Sequence, residues 1–194
     1  MRPMDATTIS KPVSVYQIKV TLKDSQPPIW RRIQVKSNIT LHKLHQILQI
    51  VMPWEDDHLH QFIIGGILYD VPGEEYDGLV ETEDEREYRL NQVITGEGVK
   101  FKYEYDFGDS WEHLLLVENV LPIQKETFYP VCLGGEQACP PEDVGGIHGY
   151  YYFLEAIQNP NHPEHQDRLG WIGGHFDPEE FDLEKINRQL RKIK

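Results

Sequence analysis

The chain has 194 residues, of which 39% are hydrophobic and 11% aromatic, a composition typical of one folded domain with a full core. Its 32 acidic and 19 basic residues give a net charge of −13, which repels phosphate backbones, so we expect no direct nucleic-acid binding. The chain starts without the apolar segment of a signal peptide, and no apolar run is long enough to span a membrane. We therefore expect a cytoplasmic protein with no membrane partner.

The first elements have the pattern of a β-hairpin. Apolar and polar residues alternate over 16–22 and again over 32–36, which predicts two half-buried strands. The segment 24–28 between them contains Asp, Ser and two prolines, the composition of a turn. Arg31 and Arg32 fall at the second strand, and we interpret both as ordinary strand surface.

A helix is predicted after the hairpin. Its apolar residues recur at helical spacing: Leu41, Leu44, Leu48 and Val51. Thr40 or Asn38 can cap its first turn, and Pro53 marks its end. His45 lies beside the apolar stripe, and we interpret it as a hydrogen-bonded histidine at the boundary of the core.

The middle of the chain combines short strands with an acidic segment. Residues 59–64 and 67–69 are predicted strands on either side of a Gly-Gly pair. Residues 72–89 are strongly acidic, and we interpret them as a solvated, mobile loop. A short helix is predicted around residues 88–94.

A second hairpin is predicted around the string YEYDFGDSWEH at residues 103–113. Its loop covers 106–110 and its returning strand 111–120. This register places four side chains, together with Leu115, on one aromatic surface: Tyr103, Tyr105, Trp111 and His113. It also opposes Glu104 to Glu112, so either that face is wet or the register is shifted by one residue.

The C-terminal part is predicted to be a long loop followed by two helices. Glycines and prolines cluster over 129–149, which is typical of a loop. A helix over 149–158 is closed by Pro160. The last helix has two candidate caps, Asp177 and Asp182. Its apolar stripe consists of Leu183, Ile186, Leu190 and Ile193.

These elements predict an α+β fold. The strands come in hairpin-like pairs and the helices interrupt them irregularly, which favours a mixed or mainly antiparallel sheet over alternating βαβ units. We expect one domain over residues 13–194 that begins β-β-α-β and carries its helices on one face. Residues 1–12 are polar, contain two prolines and are expected to be frayed.

Several segments occur in an order that resembles a known family. They are PPIWRRIQV (27–35), LHKLHQILQ (41–49), HLHQF (58–62), YEYDFGDSWEH (103–113), CPPEDVGGIHGYYYFLEAI (139–157) and FDPEEFDLEKINRQL (176–190). Together they resemble the Ri-plasmid ORF-three-like family, also described as transposon passengers. The resemblance implies a single α+β domain of unknown activity, found in bacteria and archaea and often on mobile elements. Many relatives resemble a Cys-Pro-Pro-Glu-Asp-Cys string, whereas this chain has Val144 at the second cysteine position.

Two stretches offer carboxylates for a site. Asp106 and Asp109 lie in the predicted hairpin loop, where aspartate can bond the following amides and Gly108 can supply a positive φ. Glu142 and Asp143 follow two stiff prolines, and the structural alternative is that they cap the next helix. If both stretches line one hollow, their carboxylates could hold a hard cation or act as acid and base.

Histidines give a weaker metal signal. His58 and His60 are two residues apart on a predicted strand, so both would point to one face and could hold a metal between them. Asp109 and His113 are further weak candidates. The structural alternative places one histidine at the start of the strand and one at its edge. We therefore expect no resident cofactor, with a divalent metal as the weaker alternative.

The two cysteines are interpreted as structural. Six residues separate Cys132 from Cys139 within the glycine-rich segment, and zinc pairs are spaced more closely. Packed thiols in a loop are the favoured interpretation. A reversible disulfide is the alternative, because such a loop can close.

Two hypotheses of function follow. The first is a non-catalytic binding or accessory module whose aromatic and acidic cleft receives a protein, a peptide or a small cationic ligand. Its lining would be Tyr103, Tyr105, Asp106, Asp109, Trp111, His113, Glu142 and Asp143. The second is a metal-dependent enzyme, such as a hydrolase, that uses the carboxylates and His113 as ligands or base. The sequence has no nucleophile elbow, no phosphate loop and no complete metal signature, which favours the first hypothesis.

Overall fold

The core of the molecule is built on one face of an eight-stranded sheet. Its strands are β1 (Val15–Leu22), β2 (Trp30–Lys36), β3 (His60–Ile64), β4 (Ile67–Asp70), β5 (Glu83–Asp84), β6 (Lys100–Tyr105), β7 (Trp111–Leu121) and β8 (Val131–Glu136). The helices are α1 (Leu41–Val51), α2 (Leu90–Val93), α3 (Gly146–Gln158), α4 (His165–Trp171) and α5 (Leu183–Leu190). The strand order is β5-β4-β3-β6-β7-β1-β2-β8. Among the strands of the described residues, β4 and β5 pair in parallel and the other neighbours pair antiparallel, so the predicted mixed, mainly antiparallel α+β fold is confirmed.

The structure is a computed structural model that describes residues 12–73 and 82–193. The segment predicted to be frayed therefore lies, except for Pro12, outside the described residues. Among the helices in these two ranges, none is long and apolar enough to cross a membrane.

The alternation of residue types decides which face of the sheet is buried. Ile18 and Ile33 are partners on β1 and β2 and both are fully buried, whereas Lys19 and Arg32 lie on the opposite face. Helices α1, α3 and α5 contribute apolar residues to the same core, as predicted. The side chain of Thr40 accepts a hydrogen bond from the Lys43 amide and caps α1.

The prediction that Arg31 lies on the strand surface is wrong, because its side chain is buried. Its guanidinium donates hydrogen bonds of 2.8–2.9 Å to the carbonyl oxygens of Trp30, Val51, Glu136 and Gln137. These carbonyl dipoles solvate the buried charge. Arg31 thereby ties β2 to the end of α1 and to the segment that follows β8.

The C-terminal third departs from prediction in its elements. The segment 129–149 contains strand β8, so Cys132 lies on a strand and not in a loop. Both cysteine thiols are buried and free. Helix α3 begins at Gly146 rather than at residue 149, and α4 was not predicted. Asp182 is the cap of α5, because its side chain accepts a hydrogen bond from the Lys185 amide.

Strand β8 is an outer strand of the sheet, and α5 covers part of its edge. The Asn187 side chain accepts a hydrogen bond from the Cys132 amide and donates one to the Cys132 carbonyl, both at 2.9 Å. The side-chain amide thus takes the place of a peptide group from a neighbouring strand.

The acidic segment 72–89 is more ordered than predicted. Residues 74–81 lie outside the described residues. Beyond them, β5 pairs with β4, and the side chain of Glu85 is fully buried. The prediction of a solvated, mobile loop is therefore wrong for residues 82–89, because the backbone extends the sheet and Glu85 turns inward to a group of histidines. The short helix predicted around 88–94 is α2.

Candidate functional site

The β6–β7 hairpin has the register that the sequence predicts. Tyr105 lies opposite Trp111, and Glu104 lies opposite Glu112. The glutamate face is wet, and Lys23 forms an ion pair of 2.9 Å with Glu112. The like-charge pair is therefore screened by solvent and by a neighbouring cation.

The aromatic face of this hairpin lies in the interior. Tyr103, Tyr105, Trp111 and His113 are each at most 1% exposed. Burial raises the pKa of both tyrosines, so their phenols stay protonated, and burial lowers the pKa of His113 to about 4. The expectation of an aromatic surface is thus wrong, because α1 and Trp54 pack against that face. The aromatic rings therefore belong to the core beneath the site and not to its surface.

The hairpin turn fixes one oxygen of Asp106 and leaves the other for a different contact. Its Oδ1 accepts hydrogen bonds from the amides of Gly108 at 2.9 Å and Asp109 at 3.3 Å. Asp106 and Ser110 supply the left-handed backbone, with φ of 55° and 54°, whereas Gly108 does not. Aspartate tolerates a positive φ because its side chain can bond nearby backbone amides, so Asp106 adopts the conformation that was expected of the glycine. Asp106 Oδ2 faces His58.

The second acidic stretch is packed against the same turn. Asp109 Oδ2 accepts a hydrogen bond of 3.0 Å from the Gly145 amide. A Cβ atom on Gly146 would lie 2.6 Å from the Asp109 carbonyl oxygen, so only glycine allows this approach. Asp109 therefore joins the two loops and does not point to His58.

Four side chains form the His58 cluster, which consists of His58, Asp106, Glu142 and Asp143. The Nε2 atom of His58 lies 3.3 Å from Asp143 Oδ1, 3.6 Å from Glu142 Oε2 and 3.8 Å from Asp106 Oδ2. The side chain of Asp106 is 10% exposed and that of Asp143 is 72% exposed, so the cluster is open on one side. The two predicted carboxylate stretches thus lie around one imidazole. Whether they bind a ligand stays a prediction.

Glu142 is held by one of its carboxylate oxygens. Its Oε1 accepts hydrogen bonds from the Glu55 amide at 2.9 Å and from the Tyr105 hydroxyl at 3.2 Å. Its Oε2 is buried and has no hydrogen-bond partner among the described residues. Burial raises the pKa of Glu142 above its ordinary value. One oxygen therefore positions the side chain, and the other is available within the cluster.

A second group, the histidine network, lies across the 54–60 segment and consists of His42, His45, Asp56, His60 and Glu85. The carboxylate of Glu85 forms hydrogen bonds with His42 Nδ1 at 2.8 Å and with His60 Nε2 at 3.0 Å. Although burial raises the pKa of Glu85, these two bonds outweigh it and hold the pKa below its ordinary value. The ring of His60 stacks on that of His45 at 3.5 Å, with an angle of 4° between the planes.

His45 joins the network to the hairpin. Its Nε2 lies 2.7 Å from Asp56 Oδ1 and its Nδ1 lies 2.8 Å from the Tyr103 hydroxyl. Burial lowers the pKa of His45 to about 3, so the ring is neutral near pH 7. The predicted hydrogen-bonded histidine is confirmed, although it lies within the core rather than at its boundary.

His58 and His60 do not share a ligand, which corrects the expectation of a metal between them. Strand β3 begins only at His60, and Asp56 has a left-handed backbone with φ of 66°, so the chain is not extended through His58. Ligand atoms of His45, Asp56 and His60 lie within 4.8 Å of one another. However, a metal must lie near the plane of each imidazole, and the parallel rings of His45 and His60 oppose this.

Sequence patterns missed three members of the histidine network. Glu85 is hidden in a run of acidic residues, and His42 and Asp56 lie on the polar side of their segments. The available signal was the pair of histidines at helical spacing, His42 and His45, followed by two more at 58 and 60. This pattern indicates a histidine-rich face but not the carboxylate that completes it.

Comparisons with known proteins cover nearly the whole chain. Residues 14–185 match the model of a protein family described as plasmid pRiA4b ORF-3-like protein. The uncharacterized protein y4hQ of Sinorhizobium fredii (strain NBRC 101917 / NGR234) is 38% identical over 180 residues, which are 91% of each chain. The crystal structure of MM3350 from Methanosarcina mazei Go1, a protein of unknown function, is similar with a TM-score of 0.80 and 37% identity. That match covers 89% of this chain and 97% of the other.

Proposed function

The chain belongs to the plasmid pRiA4b ORF-3-like family, and from this premise we propose that it is a binding module for a positively charged ligand. The relatives are uncharacterised and carry no described reaction. The observation that supports binding is the convergence of three carboxylates on His58 from separate loops. Folding brings these charges together against their repulsion, which favours a role in recognition.

The surroundings of the cluster strengthen its preference for cations. We use the name acidic patch for Glu55, Asp56, Asp57, Asp106, Asp109, Glu142 and Asp143. Among ion pairs of the described residues, none joins these acids to a lysine or an arginine. A patch of one sign attracts the opposite charge and repels nucleic-acid backbones. The ligand class is therefore a basic protein segment, a basic peptide or a small cation.

Recognition in this module depends on charge rather than on stacking. The aromatic residues beneath the patch are buried, so a ligand cannot stack on them without unfolding the hairpin. Tyr105 contacts the cluster from the core: its hydroxyl donates to Glu142, and its ring lies edge-on to that of His58, with 5.8 Å between the centroids. The sequence predicted a cleft lined by both aromatic and acidic residues. In the structure the acidic residues lie at the surface and the aromatic residues are buried beneath them.

The experiment is a titration of the isotope-labelled full chain with a hexalysine peptide, followed by amide NMR spectra. We expect shifts that concentrate at the amides of Asp57, Gly108 and Gly145, because these amides hold the patch together. The shifts should disappear at high salt, since screening weakens contacts between exposed charges. Shifts spread evenly over the surface would contradict a defined binding site.

A matched pair of triple variants separates the patch from net charge. The first variant, Glu55→Gln with Asp57→Asn and Asp143→Asn, removes three exposed acids of the patch. The control, Glu126→Gln with Asp167→Asn and Glu179→Gln, removes three exposed acids elsewhere. We expect the first to abolish hexalysine binding and the second to preserve it. Equal losses in both would show that only the total charge matters.

A metal-dependent hydrolase stays the alternative hypothesis, because a histidine among carboxylates is an arrangement that such enzymes use. It predicts hydrolysis of an activated ester, such as p-nitrophenyl phosphate, after addition of Zn²⁺ or Mn²⁺. That activity should be lost in His58→Gln. Identical background rates for the wild type and this variant would remove the alternative.

A further inference from the structure

We infer that the His58 cluster is a binding site for a single divalent metal ion of the zinc class. The ligands would be Nε2 of His58 and one carboxylate oxygen each from Asp106 and Asp143, which all lie within 4.8 Å of one another. The Oε2 atom of Glu142 lies 3.6 Å from the same nitrogen, next to this group of ligands. This inference rests on the proposed function, because it names the positively charged ligand that the acidic patch takes. The sequence already suggested that Asp106, Glu142 and Asp143 could hold a cation. The structure adds His58 to this set and places His60, Asp109 and His113 outside it.

The spacing within the cluster is that of metal ligands rather than of hydrogen-bond partners. The three carboxylate oxygens lie 3.3, 3.6 and 3.8 Å from His58 Nε2. Ligands in a tetrahedral zinc site, with bonds of about 2.0–2.2 Å, are separated from one another by roughly 3.4 Å. A protonated imidazole bonded directly to a carboxylate would approach to about 2.7–2.9 Å. The contacts in the histidine network have that shorter spacing, and those of the His58 cluster do not.

Two carboxylates present oxygens that no other group uses. The side chain of Asp106 is 10% exposed, and Oδ1 accepts both of its amide hydrogen bonds, so Oδ2 remains for the cluster. The Oε2 atom of Glu142 is buried and lacks a hydrogen-bond partner among the described residues. Unpaired buried carboxylate oxygens are costly unless a cation compensates them. Both of these oxygens face the same imidazole nitrogen.

Hydrogen bonds to the other carboxylate oxygens hold the side chains of Asp106 and Glu142 in place. The turn amides hold Asp106, and the Glu55 amide and the Tyr105 hydroxyl hold Glu142. The Asp109 bond to the Gly145 amide fixes the loop that carries Glu142 and Asp143. Hydrogen bonds of this kind orient metal ligands and restrict their motion.

The donor set indicates the class of metal. One imidazole nitrogen with two carboxylate oxygens suits Zn²⁺ or a similar first-row ion, since imidazole is a common ligand of these metals. Ca²⁺ prefers six to eight oxygen ligands, and Mg²⁺ prefers near-ideal octahedral oxygen. We therefore expect Zn²⁺ to bind more tightly than either of them.

The test is calorimetric titration of the chelator-treated full chain with ZnCl₂. We expect a single tight site in the wild type and a loss of affinity of about 10-fold or more in His58→Gln and in Asp143→Asn. Asp143 is 72% exposed, so its variant should fold normally. Glu126→Gln, which changes an exposed acid outside the acidic patch, should bind zinc as the wild type does.

Three results would overturn the inference. They are the absence of a tight zinc site, unchanged affinity in His58→Gln and Asp143→Asn, and loss of the site in Asp56→Asn alone, which would assign it to the histidine network. Tighter binding of Ca²⁺ than of Zn²⁺ would also contradict the metal class. The hexalysine titration of the metal-free chain distinguishes the two proposals. Peptide binding without zinc binding would leave the binding module standing, and failure of both would remove both proposals.

Discussion

The histidine network and the His58 cluster contain the same residue types and flank one short segment, residues 54–60, yet they are built differently. In the network, nitrogen–oxygen contacts with Glu85 and Asp56 are 2.7–3.0 Å, and the Glu85 side chain is fully buried. In the cluster the corresponding distances are 3.3–3.8 Å, and Asp143 is exposed. Spacing and access, rather than composition, separate a structural group from a candidate binding site.

The two regions also differ in what holds their side chains. Members of the network bond to one another, so each is part of the fold. Carboxylates of the cluster bond mainly to backbone amides behind them. We therefore expect changes in the network to cost stability, and changes in the cluster to cost binding with little loss of stability.

The largest expected effect is the acid sensitivity of the network and the adjoining hairpin. An unfolded histidine takes up a proton near pH 6.5, whereas folded His45 does so at about pH 3 and folded His113 at about pH 4. Stability is therefore complete above pH 6.5 and falls as the pH decreases. Each excluded proton lowers the free energy of unfolding by at most about 1.4 kcal/mol per pH unit.

Urea unfolding of the full chain between pH 7 and pH 5, with a chelator present, measures this slope. The variant His45→Gln should have a flatter slope by about one proton, even if its stability at pH 7 is lower. A free energy of unfolding that does not change over this range would show that these histidines are accessible to protons in the folded state.

The next largest effect is expected for Glu85→Ala. This change leaves His42 and His60 without their shared carboxylate in a buried setting, and we expect a loss of about 3 kcal/mol in the free energy of unfolding. Urea unfolding at pH 7 checks the value. The neighbouring exposed Glu83→Ala serves as control and should lose less than about 1 kcal/mol. Similar losses in both variants would mean that Glu85 is not special to the network.

Gly146→Ala tests the packing that assembles the cluster. A Cβ atom there would meet the Asp109 carbonyl oxygen at 2.6 Å, and the backbone has φ of 67°. We expect a loss of about 2 kcal/mol in stability together with weaker binding of hexalysine. The control is Gly170→Ala on helix α4, where no atom lies within 4 Å and the stability should not fall. Unchanged stability in Gly146→Ala would show that the two loops can separate without cost.

The smallest effect, of opposite sign, is expected for Glu142→Gln in the metal-free chain. Burial raises the pKa of Glu142, so its charged form costs stability above that pKa. Glutamine keeps an acceptor for Tyr105 and the Glu55 amide, and we expect a small rise in the unfolding temperature at pH 7. Thermal unfolding with a chelator measures it. A loss of similar size would mean that the carboxylate is stabilised in place by its neighbours.

Periodicity was sufficient to predict most of the fold. Alternation identified β1, β2, β6 and β7, and it gave the correct register of the β6–β7 hairpin. Helical spacing identified α1 and α5. It failed for β8, whose glycines look like a loop until the pairing with β2 is known. It also failed for α4, which contributes no buried residue and so leaves no stripe to detect.

The site was predictable only in part, because its geometry depends on contacts distant in sequence. The meeting of Asp106 with Glu142 and Asp143 was a hypothesis drawn from the sequence, and the structure brings them to one imidazole. The different position of Asp109 depends on a bond to Gly145 that no local pattern encodes. The burial of the aromatic face could not be inferred from alternation, because alternation shows that residues share a face but not which side is covered.

The two hydrogen bonds between the Asn187 side chain and the backbone of Cys132 protect the outer edge of β8. A bare outer strand can recruit a strand from another molecule, and repeated recruitment leads to aggregates. The side-chain amide of Asn187 on helix α5 satisfies the peptide groups of Cys132 and so interrupts that template near the start of β8. Removal of the last helix would uncover the strand, and poor solubility of C-terminal truncations is the expected result.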